Sequence, residues 1–247
     1  MQDFSACALH GKNLSDDMII SMRSDFMNKG KFPCVTCRIW KCRFPESSKE
    51  YPKGCPAESY NDLRKETIKK NLTDSKTRRI NTATEVVLSK GAGIGGQEIR
   101  WMPRIREIIE FAKYLGYKKL GVAFCVGLQE EARILTDILE KAGFDTVAIG
   151  CMSGGFSRNK FAKKVNIERS KFLGPTICNP LMQAEVLNNE ETELNIMVGL
   201  CVGHDILFIK NSRADVTPLI VKDKVLAHNP VLALYTSHSY YRSKIFE

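Results

Sequence analysis

Leu120-Gly-Val-Ala-Phe-Cys125, a stretch of helical periodicity from Leu128 to Ala142 closed by Gly143, and Thr146-Val-Ala-Ile-Gly-Cys151 together decide the fold. Each flank is a short, unbroken apolar run, the pattern of a strand buried on both faces. Strand, helix and strand at this spacing make a parallel pair joined by a crossover. The alternation continues on both sides. Arg104–Leu115 reads as an amphipathic helix ended by Gly116. Beyond a longer polar connection, Pro180–Asn189 reads as a helix with Asn179 as its cap and Pro180 in its first turn. Asn195-Ile-Met-Val-Gly-Leu-Cys201 is a third strand, His204–Asn211 a helix, and Pro218-Leu-Ile-Val221 a fourth strand. The expectation is an α/β fold with a Rossmann-like parallel sheet over residues 101–247.

Upstream the pattern changes. Residues 58–100 read as a helical connection, with helices from Glu58 to Leu72 and from Asp74 to Ser89. Within it, Gly91, Gly93 and Gly96 satisfy the glycine spacing of a dinucleotide loop. No strand precedes them and no acidic residue closes a strand about twenty residues later, so they read as a flexible connection. Residues 1–57 form a cysteine-rich segment in which Pro33, Pro45, Pro52, Gly54 and Pro56 prevent a long helix.

Composition narrows the class. The chain has 247 residues, with 37 Lys and Arg against 28 Asp and Glu, a formal charge of +9 that suits nucleic acid, an acidic partner or an anionic cofactor. No apolar run approaches the roughly eighteen residues of a membrane span, and no secretory signal opens the chain. Nine cysteines in such a sequence argue for metal ligation or thiol chemistry in a reducing compartment, with a cytoplasmic location expected.

The cysteines fall into two sets of four, with Cys7 left over. Cys34, Cys37, Cys42 and Cys55 crowd into one loop-rich segment. A C-x-x-C pair delivers two thiolates from one turn, and two more complete a tetrahedral zinc set or supply one thiolate per iron of a cubane. Lys31, Arg38, Lys41, Arg43 and Lys53 surround them and would favour the thiolate forms. Free thiols and a redox dithiol are the alternatives, and the spacing leaves zinc and iron–sulfur both open. The second set is gathered by the fold. Cys125, Cys151 and Cys201 each take the last position of an expected strand, and Cys178 precedes the cap Asn179. Carboxyl ends of parallel strands share one edge, where ligands bind, so these sulfurs should meet in one cleft. Buried cysteine packing as a small hydrophobe is the competing reading. Gly154 and Gly155 after Cys151, and Gly203 after Cys201, would let the backbone approach a cofactor. His204 reads as ligand, proton donor or helix cap, with Asp205 beside it. His228 either covers the cleft or stabilises a turn, while Lys222 and Asp223 close the fourth strand.

Five pieces carry a resemblance: the Cys34/Cys37/Cys42/Cys55 set, Gly121-Val-Ala-Phe-Cys125-Val-Gly-Leu, Cys178-Asn-Pro-Leu-Met-Gln-Ala-Glu185, Val198-Gly-Leu-Cys201-Val-Gly-His-Asp205, and Val221-Lys-Asp-Lys with Ala227-His-Asn-Pro230. Over residues 34–235 the chain resembles the predicted metal-binding proteins, a family of unknown function found mostly in archaea and anaerobic bacteria. The resemblance implies an α/β metalloprotein with two cysteine-rich sites of iron–sulfur type. The leading expectation is an iron–sulfur redox protein, an enzyme on a small molecule, with two 4Fe-4S clusters. The first would relay electrons from a donor protein; the second, at Cys125/Cys151/Cys178/Cys201, would act on substrate, with His204 as proton donor. Zinc at Cys34/Cys37/Cys42/Cys55 is the alternative cofactor. A non-catalytic cluster or electron carrier is the second functional class. A zinc-stapled nucleic-acid binder, prompted by Arg64, Lys65, Lys69, Lys70, Lys76, Arg78 and Arg79, ranks third because no nucleic-acid motif accompanies them.

Overall fold

A computed structural model describes residues 31–92, 101–161 and 174–246. Cys7, Gly93 and Gly96 lie outside the described residues. The chain divides into two units, Met1–Arg78 and Arg79–Glu247.

In the first unit, Pro33–Val35 forms a single 3-10 turn, followed by irregular backbone to Cys55. Short helix α1 (Pro56–Ser59) begins directly after Cys55, with Pro56 at its first position. Helix α2 (Asn61–Thr73) follows and buries none of its residues. Helix α3 (Ser75–Ala92) begins in the first unit and continues past Arg78 into the second; it runs through Gly91, so the first glycine of the glycine-rich stretch is helical.

The second unit is a four-stranded parallel sheet. Its strands are β1 (Lys119–Phe124), β2 (Asp145–Gly150), β5 (Leu194–Val198) and β6 (Asp215–Ile220), in the order β2-β1-β5-β6. A two-stranded antiparallel ribbon, β3 (Phe156–Ser157) with β4 (Thr176–Ile177), lies in the connection after β2, where sequence reading expects only polar loop. Such two-residue strands carry no usable periodicity.

Local chemistry explains the helices. In α4 (Arg104–Tyr114), Ile108, Ile109 and Ala112 share the buried face. In α5 (Gln129–Lys141), Ala132, Leu135 and Leu139 do so, with Glu130 and Glu131 at the positive end of the dipole and Lys141 at the negative end. Gly143, at φ 94°, turns the chain out of α5, and the Phe144 amide donates to Leu139 O. In α6 (Pro180–Asn189), the Asn179 side chain accepts from the Met182 amide. Helix α7 (His204–Asn211) follows β5, and α8 (Val231–Tyr235) and α9 (Arg242–Phe246) close the described chain.

Cys125 and Cys151 fall one residue past their strands, and two strand limits differ from expectation by three residues. The third strand stops at Val198 instead of Cys201, because Gly199 adopts φ 66° and turns the chain. A Cβ there would stand 2.0 Å from Leu128 Cδ1, so glycine is required on two counts. The fourth strand begins at Asp215 and holds Pro218 in its interior. This works because β6 is an edge, and the register slips where Met197 and Val198 pair with Pro218 and Ile220.

The order β2-β1-β5-β6 places β1 at the point where successive connections lead to opposite sides of the sheet. A parallel sheet opens its ligand crevice there, beyond the carboxyl ends of the strands.

Candidate functional site

Cys125 and Cys151 stand one residue beyond β1 and β2, and their backbones continue the sheet. The Cys125 amide donates to Val198 O at 3.1 Å and the Cys151 amide to Phe124 O at 2.8 Å. Cys178 arrives from β4, immediately before α6, where the Asn179 amide donates to Cys151 O at 2.8 Å. The Sγ atoms of Cys178 and Cys151 are 3.4 Å apart, and Met152 Sδ lies 3.5 Å from Cys178 Sγ. Cys151 in turn hydrogen-bonds Cys125, whose sulfur also accepts from Lys222 Nζ. Lys222 feels Cys125, Cys201 and Cys151 electrostatically. The result is a sulfur-lined site, termed the hollow, in which Cys125, Cys151 and Cys178 adjoin in series and Cys201 joins through its charge on Lys222; Cys125 and Cys151 are buried and Cys178 and Cys201 half-buried.

The electrostatics are strongly asymmetric. Hydrogen bonding from Cys151, and then from Lys222, outweighs burial and lowers the Cys125 pKa from 9.0 to about 4. Cys151 is pushed the other way, first by its bond to Cys125 and then by desolvation, and stays a thiol. Burial disfavours the Lys222 ammonium, but the bond to Cys125 and the neighbouring sulfur charges prevail and raise its pKa. Across neutral pH, Cys125 and Cys151 thus share one proton between them.

Gln183, fully buried on α6, supports the hollow from below. Its Nε2 donates to Phe124 O at 3.1 Å and Ile149 O at 2.8 Å, tying together the ends of β1 and β2. Its Oε1 has no partner among the described residues. Gln183→Leu should cost about 2 kcal/mol in a urea unfolding titration, because the buried Ile149 O loses a donor and Phe124 O loses one of its two. A loss below about 0.5 kcal/mol would show that those carbonyls do not depend on it.

The remaining residues singled out in the sequence have defined places. His204 is the first residue of α7, half-buried, and its amide donates to Cys201 O at 2.9 Å. Asp205 Oδ1 accepts from the amides of Gly203 and Ile206, at 2.8 and 2.7 Å, so this carboxylate holds the start of α7. Gly203 has φ 91°, and open space surrounds the place of its missing Cβ. Gly154 and Gly155 serve chain packing. A Cβ on Gly155 would meet Thr176 Cγ2 at 2.8 Å and Ile177 O at 2.9 Å, and one on Gly154 would meet Met182 Cγ at 3.0 Å. His228 Nδ1 accepts from the Asp223 amide at 3.1 Å, which is the turn-stabilising role.

In the first unit, Cys34 and Cys42 are exposed and Cys37 and Cys55 half-buried. Lys41 Nζ donates to Pro45 O at 2.6 Å and to Ser47 O, so it braces the loop carbonyls. Among the described residues, no three His, Cys, Asp or Glu side chains of either unit stand as a closed set around one ion. The donor chemistry of the hollow still suits a thiophilic metal. The edge of a tetrahedral sulfur set is about 3.8 Å for bonds of about 2.3 Å, close to the Cys151–Cys178 separation of 3.4 Å. Of the basic helical residues, Arg64 binds the Tyr51 hydroxyl and Asn61 Oδ1, and Arg79 binds Leu115 O.

A cavity of about 440 Å³ lies elsewhere, at the amino ends of β5 and β6, lined by Val87, Ile108, Phe111, Leu194 and Val216. Arg104 at its wall donates to Pro218 O and Thr217 Oγ1. The reactive groups are at the opposite, carboxyl ends of these strands.

Parallel strands joined by helical crossovers, with Cys125, Cys151 and Cys178 in contact just beyond their carboxyl ends, define an α/β protein with a sulfur-rich sheet edge. The chain belongs to the family described as "Protein of unknown function (DUF1847)", which it matches over residues 55–219. It is also 49% identical over 145 residues to an uncharacterized protein of Methanocaldococcus jannaschii, covering 58% of this chain and 72% of that protein. The family match includes all four cysteines of the hollow and Cys55, and leaves out Cys34, Cys37, Cys42 and Lys222. No helix among the described residues is long and apolar enough to cross a membrane.

Proposed function

We propose that this is an iron–sulfur redox protein whose working site is the hollow formed by Cys125, Cys151, Cys178 and Cys201. The observation that carries the reading is the unbroken run of contacts Cys178–Cys151–Cys125–Lys222 at the carboxyl ends of β1 and β2. A set of thiols with one already ionised suits a soft metal or a cluster, which needs thiolate donors. Bound there, such a group would supply one-electron transfer to a small molecule entering the crevice. Lys222 offsets negative charge on the sulfurs. Gln183 keeps the two strand ends in register, and α7 presents His204 beside Cys201, where its imidazole can hand a proton to substrate. In this reading Cys34, Cys37, Cys42 and Cys55 hold a second group, iron–sulfur or zinc, that relays electrons.

Anaerobic purification followed by iron, sulfide and zinc analysis, with electron paramagnetic resonance, tests this. About eight irons per chain support two cubanes, and about four support one. Cys125→Ser or Cys201→Ser should remove one signal and spare the other. Zinc without iron or sulfide overturns the redox reading.

A further inference from the structure

The hollow contains a dithiol already held at contact distance, somewhat closer than the roughly 3.8 Å edge of a tetrahedral sulfur set. The sulfurs of Cys151 and Cys178 are 3.4 Å apart, so they need approach by only about 1.4 Å to reach a disulfide bond of about 2.05 Å. Their backbones are held in register by two further bonds, Asn179 N to Cys151 O and Asn179 Nδ2 to Gly154 O, each 2.8 Å. The β3–β4 ribbon closes the same loop, pairing Phe156 with Ile177 one residue before Cys178. The pair is also graded in access, since Cys151 is 2% exposed whereas Cys178 is half-buried and open to a small oxidant.

We propose that Cys151 and Cys178 form a reversible disulfide, made by a hydroperoxide, that closes the hollow by withdrawing two of its four sulfur donors. The closing of a metal site rests on the function proposed above; the disulfide itself does not. The Cys178 sulfur attacks one peroxide oxygen and the O–O bond breaks. The departing oxygen leaves as water, or as an alcohol from an alkyl peroxide, carrying the thiol proton, and Cys178 becomes a sulfenic acid. The Cys151 sulfur then attacks the Cys178 sulfur, forming the S–S bond and breaking S–O, and hydroxide departs with the Cys151 proton as water. Two thiols have lost two electrons to one peroxide, and an external dithiol reverses the change by exchange. With both sulfurs joined, Cys125 and Cys201 are the thiols that remain, too few for a four-sulfur site.

The test uses the full chain, reduced and freed of metal, treated with one equivalent of hydrogen peroxide, alkylated, digested and mapped by mass spectrometry. A Cys151–Cys178 cross-linked peptide should dominate, two free thiols should disappear per chain, and dithiothreitol should restore them. Cys178→Ser should abolish the cross-link, while Cys125→Ser, which leaves the pair intact, should keep it. A cross-link to Cys125 or Cys201 in its place, or sulfinic acid at Cys178 without any cross-link, overturns the proposal. Cobalt(II) titration of a Cys34→Ser, Cys37→Ser chain then reads the hollow. Affinity should fall about tenfold or more on oxidation, as it does when a site loses supporting groups, and unchanged affinity overturns the closure. If the reduced chain shows no sulfur-to-cobalt absorption, the metal reading fails, and the cross-link map still decides the disulfide.

Discussion

Gly121→Ala should destabilise the second unit by about 3 kcal/mol or more, read as the shift of its denaturant unfolding midpoint. Gly121 lies in β1 opposite Asn195 of β5, and an added Cβ would stand 2.0 Å from Asn195 Oδ1 and 2.9 Å from Leu187 Cδ1. Neither neighbour can yield. Leu187 is fully buried. Asn195 accepts from Thr192 Oγ1 at 2.8 Å and donates to Ser212 Oγ at 2.7 Å. Moving it breaks buried hydrogen bonds as well as creating overlap. Because β1 leads straight to Cys125, the same substitution should disturb the hollow. A loss under about 1 kcal/mol would mean that the β1–β5 interface has slack that this geometry does not contain.

Removing Lys222 or Cys151 should move the ionisation of Cys125 from about 4 back toward 9.0, with Cys151→Ala moving it further than Lys222→Met. The order follows from the causes, since hydrogen bonding from Cys151 is the larger and Lys222 adds a second bond and a charge. Thiolate ultraviolet absorbance of the metal-free chain, followed against pH, measures it. The wild-type chain should hold one thiolate at pH 6, and each variant should hold less of it, Cys151→Ala least. Equal titration in all three would refute the assignment of the thiolate to this contact. The sign for stability is determined as well. Cys125 binds its proton less readily folded than unfolded, so its contribution is fully present above pH 9 and drains away as pH falls toward 4. Cys151 has its pKa raised by folding, so its contribution is complete below pH 9 and is lost only above it.

The helices and buried strands were readable because each follows from local periodicity and local caps. Pro180–Asn189 and His204–Asn211 form where Asn179, Pro180 and the apolar spacing place them. The end of β5 was not readable, because Val-Gly-Leu-Cys continues the apolar run while Gly199 leaves it through a positive φ. Gln183 and Asn195 were missed for a related reason. A polar residue inside an apolar stretch looks like a surface position until its partners, Phe124, Ile149, Thr192 and Ser212, are brought to it from elsewhere in the chain.

By itself, then, the sequence determined a parallel α/β sheet and put cysteines at or just beyond its carboxyl edge, since alternation of apolar runs and amphipathic stretches is a property of neighbouring residues. Only tertiary structure decided which sulfurs touch and what ionises them. Cys151 meets Cys178 across the β3–β4 ribbon, and Lys222 reaches Cys125 from the far end of β6. Those contacts join residues 27 and 97 positions apart. Their energies depend on distance and burial, which no local pattern records.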